Sequence, residues 1–212
     1  MLDYSLYLVT DDPSRYVDNW LDNVVAAVEG GVTLVQYRDT ESDNSTKYQR
    51  IRDLQDALKR FHTPLVVNND AYLAKSVQAE GVHVGQSDMP VEAVREIVGP
   101  NCEIGLSITA WGQTPKSADG LGIGPVFDAR KTKVDASEAL GIEGLKKVLT
   151  YLYHDLNCQL PAVAIGGITY ENAPAILATG VKGLAVVSAF SKSTDSYASA
   201  KNFSLLLNHR RQ

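Results

Sequence analysis

Three groups of residues in this chain have types and spacings suited to chemistry on anions. Gly166-Gly167 follows one apolar run and Ser188 follows another. Bare backbone N–H groups and a hydroxyl at helix starts suit a phosphate, because the first amides of a helix lack internal acceptors. A tight turn is the other ordinary use of two glycines. The second group is cationic: Arg38 at one strand end, and Lys131 and Lys133 after another. Arginine presents a planar fork to phosphate oxygens and lysine a point charge; a solvated loop is the common fate of any single one. The third group is Asp70 and Asp88, each ahead of a helical pattern. Two carboxylates beside cations are hard oxygen ligands that suit Mg2+, which takes one or two carboxylates plus substrate phosphates. Helix N-capping would use the same residues, and spacing alone leaves both readings open.

The elements that must position these groups alternate along all 212 residues. Short β-rich runs (Leu6 to Val9, Val32 to Gln36, Leu65 to Val67, Val82 to Val84, Glu103 to Ser107, Leu121 to Ile123, Ala162 to Ile165, Leu184 to Val187) are separated by helical patterns. The runs are continuous rather than alternating, as expected of parallel strands buried on both faces. Eight units in this length give about 26 residues each, enough for a strand, a helix and short loops. Gly30-Gly31, Gly81 and Gly180 each precede a strand and read as left-handed helix C-caps. No linker or low-complexity segment divides the chain. The expectation is an α/β protein, a single-domain (β/α)8 TIM barrel over residues 1–212. An open doubly wound sheet is the alternative, but Thr10-Asp11-Asp12-Pro13 stands where its glycine fingerprint would follow the first strand. The fifth unit is the weakest: Gly112, Pro115 and Gly120 lie between Ser107 and Leu121, so its helix must be very short.

In such a barrel, chemistry collects where strands end. Those junctions hold Thr10-Asp11, Gln36-Tyr37-Arg38-Asp39, Asn68-Asn69-Asp70, Gly85-Gln86-Ser87-Asp88, Ser107 and Thr109, Gly124-Pro125, Gly166-Gly167 and Ser188. His83 lies inside an apolar strand and reads as a core histidine, while His62, His154 and His209 read as surface residues. No Ser-His-Asp or Cys-His arrangement is visible, which disfavours covalent nucleophilic catalysis. Mg2+ and cations around a phosphorylated ligand make diphosphate departure the activated step.

Composition excludes other classes. The net charge is −5, with 44% hydrophobic and 21% charged residues. There is no basic excess for nucleic acid or an anionic membrane, and no apolar run long enough to span a bilayer. The N-terminus has neither a basic n-region nor a long apolar core, so a cytoplasmic protein is expected, and the helical pattern after the eighth strand, with little beyond it, reads as a stand-alone chain. Cys102 and Cys158 form no CxxC and read as reduced structural thiols. A homo-oligomer is compatible with the sequence.

Together the stretches Tyr7-Leu8-Val9-Thr10-Asp11, Gly31 to Arg38, Val67-Asn68-Asn69-Asp70, Gly81 to Met89, Gly122 to Phe127, Thr132-Lys133, Ala164 to Ile168 and Val186 to Ala189 resemble the thiamine phosphate synthase family. They run in family order, and GVHVGQSDM is the most specific. The resemblance implies a transferase of thiamine biosynthesis. It would join hydroxymethylpyrimidine diphosphate to hydroxyethylthiazole phosphate, giving thiamine phosphate and diphosphate. In the family, diphosphate leaves first and the thiazole nitrogen captures the pyrimidine cation. The chemistry then needs positioning and charge stabilisation rather than a nucleophile. By matching motif, Gln36, Arg38, Asn69 and Lys133 would hold the diphosphate, with Ser107 nearby. Asp70 and Asp88 would hold Mg2+. Gly167, Val187 and Ser188 would receive the thiazole phosphate, with Thr132 beside the thiazole.

Two places depart from the family pattern. Thr40 stands where a Lys is common, and Asp128-Ala129-Arg130-Lys131 replaces a Pro-Thr-type stretch, so Arg130 or Lys131 is a candidate for the missing charge. A thiazole tautomerase-type relative or a non-catalytic phosphate-ligand sensor on the same barrel are the rival expectations. Neither would need Mg2+ or release diphosphate.

Overall fold

The computed structural model describes residues 1–129 and 137–209. Its centre is a closed barrel of eight parallel strands in sequence order: β1 (Leu6–Val9), β2 (Leu34–Tyr37), β3 (Leu65–Asn68), β4 (Gly81–Val84), β5 (Glu103–Ile108), β6 (Gly120–Ile123), β7 (Ala162–Ile165) and β8 (Gly183–Val186). β8 closes on β1, with Tyr7 opposite Ala185. The helices are α1 (Trp20–Glu29), α2 (Asn44–Leu58), α3 (Ala71–Val77), α4 (Val91–Val98), α5 (Gly141–Thr150), α6 (Ala173–Leu177), α7 (Ser188–Ser191) and α8 (Ser196–His209). The expected (β/α)8 barrel is therefore present. No helix among the described residues is long and apolar enough to cross a membrane.

The continuous apolar strands conceal a two-residue alternation that sorts the core into two layers. Leu6, Leu8, Val35, Val67, Val82, Ile104, Leu106, Leu121, Ala164 and Leu184 face the helices and pack with residues such as Val24, Ile51, Val94, Leu145 and Phe203. Burying each large aliphatic side chain in this layer contributes about 1.5–3 kcal/mol. The opposite parity points into the barrel: Tyr7, Val9, Leu34, Val66, Val163 and Ala185 form a smaller inner cluster. Five polar residues share that inward parity: Gln36, Asn68, His83 and Ser107 near the strand C-terminal ends and Glu103 at the opposite end.

Glycine makes room for them on one wall. A Cβ on Gly105 would lie 2.4 Å from His83 Nδ1, and one on Gly122 would lie 3.1 Å from His83 Cε1. A Cβ on Gly120 would meet the Tyr4 hydroxyl at 2.5 Å. One wall of the barrel is thus thinned to backbone so that an imidazole and a phenol from elsewhere can occupy its interior.

Three expectations change. The fifth unit has no helix: β5 passes to β6 through turns alone, consistent with its Gly and Pro content. Gly81 is not a helix cap. It opens β4, where a Cβ would sit 3.0 Å from the Glu103 carbonyl, and the left-handed cap of α3 is Gln78 at φ 55°. Ser188 begins its own four-residue helix, α7, rather than the last helix. Gly31 and Gly180 do adopt positive φ, at 119° and 97°. Cys102 and Cys158 are buried free thiols.

Candidate active site

A cavity of about 160 Å3 opens at the C-terminal ends of the strands. Its floor and walls are the inward residues: Tyr4, Tyr7, Gln36, Asn68, His83 and Ser107, with Gly120 and Gly122. Its upper wall includes Arg38, Thr109, Gly166, Gly167, Val187 and Ser188. Ala129 and Ser137, on either side of the undescribed stretch, also line it. Thr132 and Lys133 lie outside the described residues, as do Arg130 and Lys131.

The floor is a polar network in an apolar shaft. Gln36 is 4% exposed, and its Nε2 donates to the Tyr7 hydroxyl at 2.7 Å. Burial pushes the Tyr7 phenol well above its ordinary value, so it stays protonated at neutral pH. His83 Nε2 lies 2.9 Å from Ser107 Oγ, and Gln86 Nε2 donates to the Ser107 carbonyl at 2.7 Å. The reading of His83 as a core histidine is refined: it points into the barrel and is satisfied by Ser107, but it also lines the cavity. A continuous apolar run hides its parity: counting by two from the strand ends turns Tyr7, Asn68 and His83 inward, whereas Tyr4 lies ahead of β1 and enters the cavity outside that alternation.

The β2 end is stapled from two sides. Thr10 Oγ accepts from the Arg38 amide and donates to the Arg38 carbonyl, both at 2.8 Å. Thr40, at the position where Lys was expected, gives its amide and hydroxyl to Asp12. From the other side, Asp39 accepts from the Glu41 and Ser42 amides, the Tyr37 hydroxyl and Arg50. Burial alone would raise the Asp39 carboxyl, but hydrogen bonds from Ser42, Tyr37 and Arg50 outweigh it and bring it down to about 2.

At the next two ends the acidic pair has mixed duties. Asp70 Oδ1 caps α3 by accepting from the Leu73 amide at 2.8 Å. Asp88 caps no helix; its Oδ2 closes a turn by accepting from the Gly85 amide at 2.7 Å, while Pro90 precedes α4. Among the described residues, neither carboxylate's second oxygen takes part in a hydrogen bond or ion pair. Two adjacent strand ends thus each offer one carboxylate oxygen, a donor set that fits Mg2+ completed by water and phosphate oxygens. No group of three or more His, Cys, Asp or Glu side chains suited to a metal occurs among the described residues. Asn69 is exposed and left-handed at φ 63°, with its amide on the His83 carbonyl, so Asn68 rather than Asn69 lines the cavity.

The β7–β8 end is built from backbone. Gly166 and Gly167 have φ of 99° and 62°, and Cβ atoms there would lie 2.5 Å from Pro125 Cβ and 2.7 Å from Phe127 Cβ. The Val126 amide donates to the Ile165 carbonyl and the Phe127 amide to the Gly166 carbonyl, at 2.8 and 3.0 Å. Asn172 Nδ2 holds the Gly167 carbonyl at 2.9 Å. Facing this turn, Val187 leads into Ser188 and the first turn of α7.

Fold and cavity define a (β/α)8 barrel with a ligand site at the C-terminal mouth, the place where enzymes of this architecture work. A family model described as thiamine monophosphate synthase matches residues 6–190. A thiamine-phosphate synthase of Vibrio campbellii is 42% identical, covering 93% of this chain and 95% of its own. One from Laribacter hongkongensis is 40% identical, over 99% and 98%. The solved thiamine phosphate pyrophosphorylase of Pyrococcus furiosus superposes with a TM-score of 0.84 at 30% identity, over 98% of this chain and 96% of its own. The chain belongs to the thiamine monophosphate synthase family.

Proposed function

We propose that this protein is a thiamine phosphate synthase, joining hydroxymethylpyrimidine diphosphate to hydroxyethylthiazole phosphate. The observation that carries the reading is a near-full-length family match on a chain whose cavity has a charged end and a backbone end. In the reaction the methylene C–O bond breaks, diphosphate leaves with the electron pair, and the thiazole nitrogen lone pair forms the new C–N bond. The products are thiamine phosphate and diphosphate, with no net redox change.

The residue roles follow from chemistry. Arg38, beside the cavity, neutralises charge gathering on the departing diphosphate, with Asn69 and Lys133 as further donors. Gln36 and Ser107, on the cavity floor, hold the pyrimidine diphosphate from below. Gly167, Val187 and Ser188 seat the thiazole phosphate on amides and a hydroxyl; the family motif assigns Thr132 to the thiazole. Asp70 and Asp88 would hold Mg2+, which when bound supplies charge neutralisation to the leaving group. The protein provides no nucleophile, because the cation is generated by departure and captured by a positioned partner. The setting is the cytoplasm, and the partners are these two small molecules.

A product assay tests this. The two substrates are mixed with the protein with and without Mg2+, and thiamine phosphate and diphosphate are followed by chromatography. Mg2+-dependent appearance of both products supports the synthase. Binding of the thiazole phosphate with no product formed would return the tautomerase or sensor reading.

A further inference from the structure

The tripeptide after β1 holds more buried charge than the reaction requires. Asp11 and Asp12 have side chains 1% and 0% exposed. Asp12 grips the β2 loop through Thr40. Asp11 Oδ2 is buried without a hydrogen-bond partner among the described residues. Two guanidinium groups share this pair. Arg15, in the turn Pro13–Arg15, reaches Asp11 Oδ1 through Nη1 and Asp12 Oδ2 through Nη2, both at 3.5 Å. Arg38 Nη1 lies 3.8 Å from the same Asp11 oxygen and 4.0 Å from the same Asp12 oxygen. Arg15 also lies 3.9 Å from Glu41.

Removing two carboxylates from water is expensive unless cations compensate them. With Arg38 as sole counter-ion, its charge would be neutralised by the pair and its fork drawn inward. With Arg15 in contact with both carboxylates, Arg38 is held at the longer distances and still lines the cavity.

We propose that Arg15 is a positioning residue for Arg38: it supplies one of the two positive charges that the buried Asp11–Asp12 pair needs and so keeps Arg38 from being drawn in as sole counter-ion, leaving its fork available to a diphosphate. Arg15 itself does not line the cavity. This inference rests on the reading of Arg38 as a diphosphate-binding residue.

The test uses the full chain, with inorganic diphosphate and Mg2+ in a calorimeter and both substrates in steady-state assays. Arg15→Ala is expected to weaken diphosphate binding and raise KM for the pyrimidine diphosphate by about tenfold, leaving KM for the thiazole phosphate unchanged. Arg15→Lys is expected to recover most of this. The decisive variant is the double substitution Arg15→Ala/Asp12→Asn, which removes the surplus carboxylate along with its cation. It is expected to bind diphosphate more tightly than Arg15→Ala alone. A double variant no better than the single overturns the proposal, and so does an Arg15→Ala protein with unchanged diphosphate affinity. If Arg15→Ala does not fold, Arg15→Gln with and without Asp12→Asn carries the same comparison. Wild-type protein that binds no diphosphate would instead defeat the diphosphate reading of the cavity, a separate outcome visible before any variant is made.

Discussion

The two ends of the cavity are built by opposite means. At β1–β4 the work falls to side chains: Arg38 clamped by Thr10, two buried aspartates, and a loop stapled by Asp39. At β7–β8 it falls to backbone: two glycines at positive φ, pressed against Pro125 and Phe127, and the first turn of a four-residue helix. The charged end suits a leaving group whose charge grows during reaction, because preorganised charges act most strongly where charge develops. The backbone end suits a phosphate that only has to be held. On the function proposed above, the first end serves rate and the second serves seating.

Substitutions can break that division. Arg38→Ala is expected to lower kcat/KM for the pyrimidine diphosphate by about a thousandfold, in the range seen when one preorganised donor is removed. KM for the thiazole phosphate should stay within about twofold of wild type, as uniform binding elsewhere would predict. An equal rise in both KM values would show that the two ends are one site. Asp88→Asn comes next. A loss of about a hundredfold, with Mg2+ saturation moved to higher concentration, is expected from removing a charged metal ligand. An unchanged Mg2+ titration would remove Asp88 from the metal site.

Gly167→Ala strikes the other end. Its φ of 62° and the 2.7 Å approach to Phe127 oppose a methyl group, so KM for the thiazole phosphate should rise by about tenfold through displacement of the turn. Steady-state kinetics with each substrate varied separates this from Arg38→Ala. Asp39→Asn should leave turnover nearly intact and appear in stability alone. The folded carboxyl sits near 2, below its unfolded value, so its stabilisation is complete above about pH 4 and drains away as pH falls toward 2. Urea denaturation should show a loss of about 2 kcal/mol at pH 7 and almost none near pH 2.

Legibility in the sequence followed the range of the interactions. The strands were readable to within two residues, since burial on both faces writes a local apolar run. The strand-end polar residues were readable because a barrel puts such ends on one face. Arg38, Gly167, Val187 and Ser188 line the cavity with Gln36 and Ser107 on its floor, whereas Asn69, Asp70 and Asp88 lie outside its lining. What stayed hidden depends on partners far along the chain. Gly105 and Gly122 matter only because His83 comes from β4, and Arg15 only because Arg38 shares its carboxylates. Asp70 shows the remaining ambiguity: it is a helix cap through one oxygen and offers the other, so the two sequence readings were never exclusive.

Tyr4 sets a rule for traffic. Its ring meets Tyr7 edge-on at 6.0 Å, its hydroxyl reaches Glu103, and it fills the space that Gly120 leaves. It stands between the cavity and a separate depression on the underside of the barrel. Among the described residues, Tyr4 and Glu103 thus close the lower end of the shaft, which opens at the C-terminal ends of the strands. Whatever settles beside Gln36 and His83 must therefore first pass the rim that Arg38 and Ser188 line.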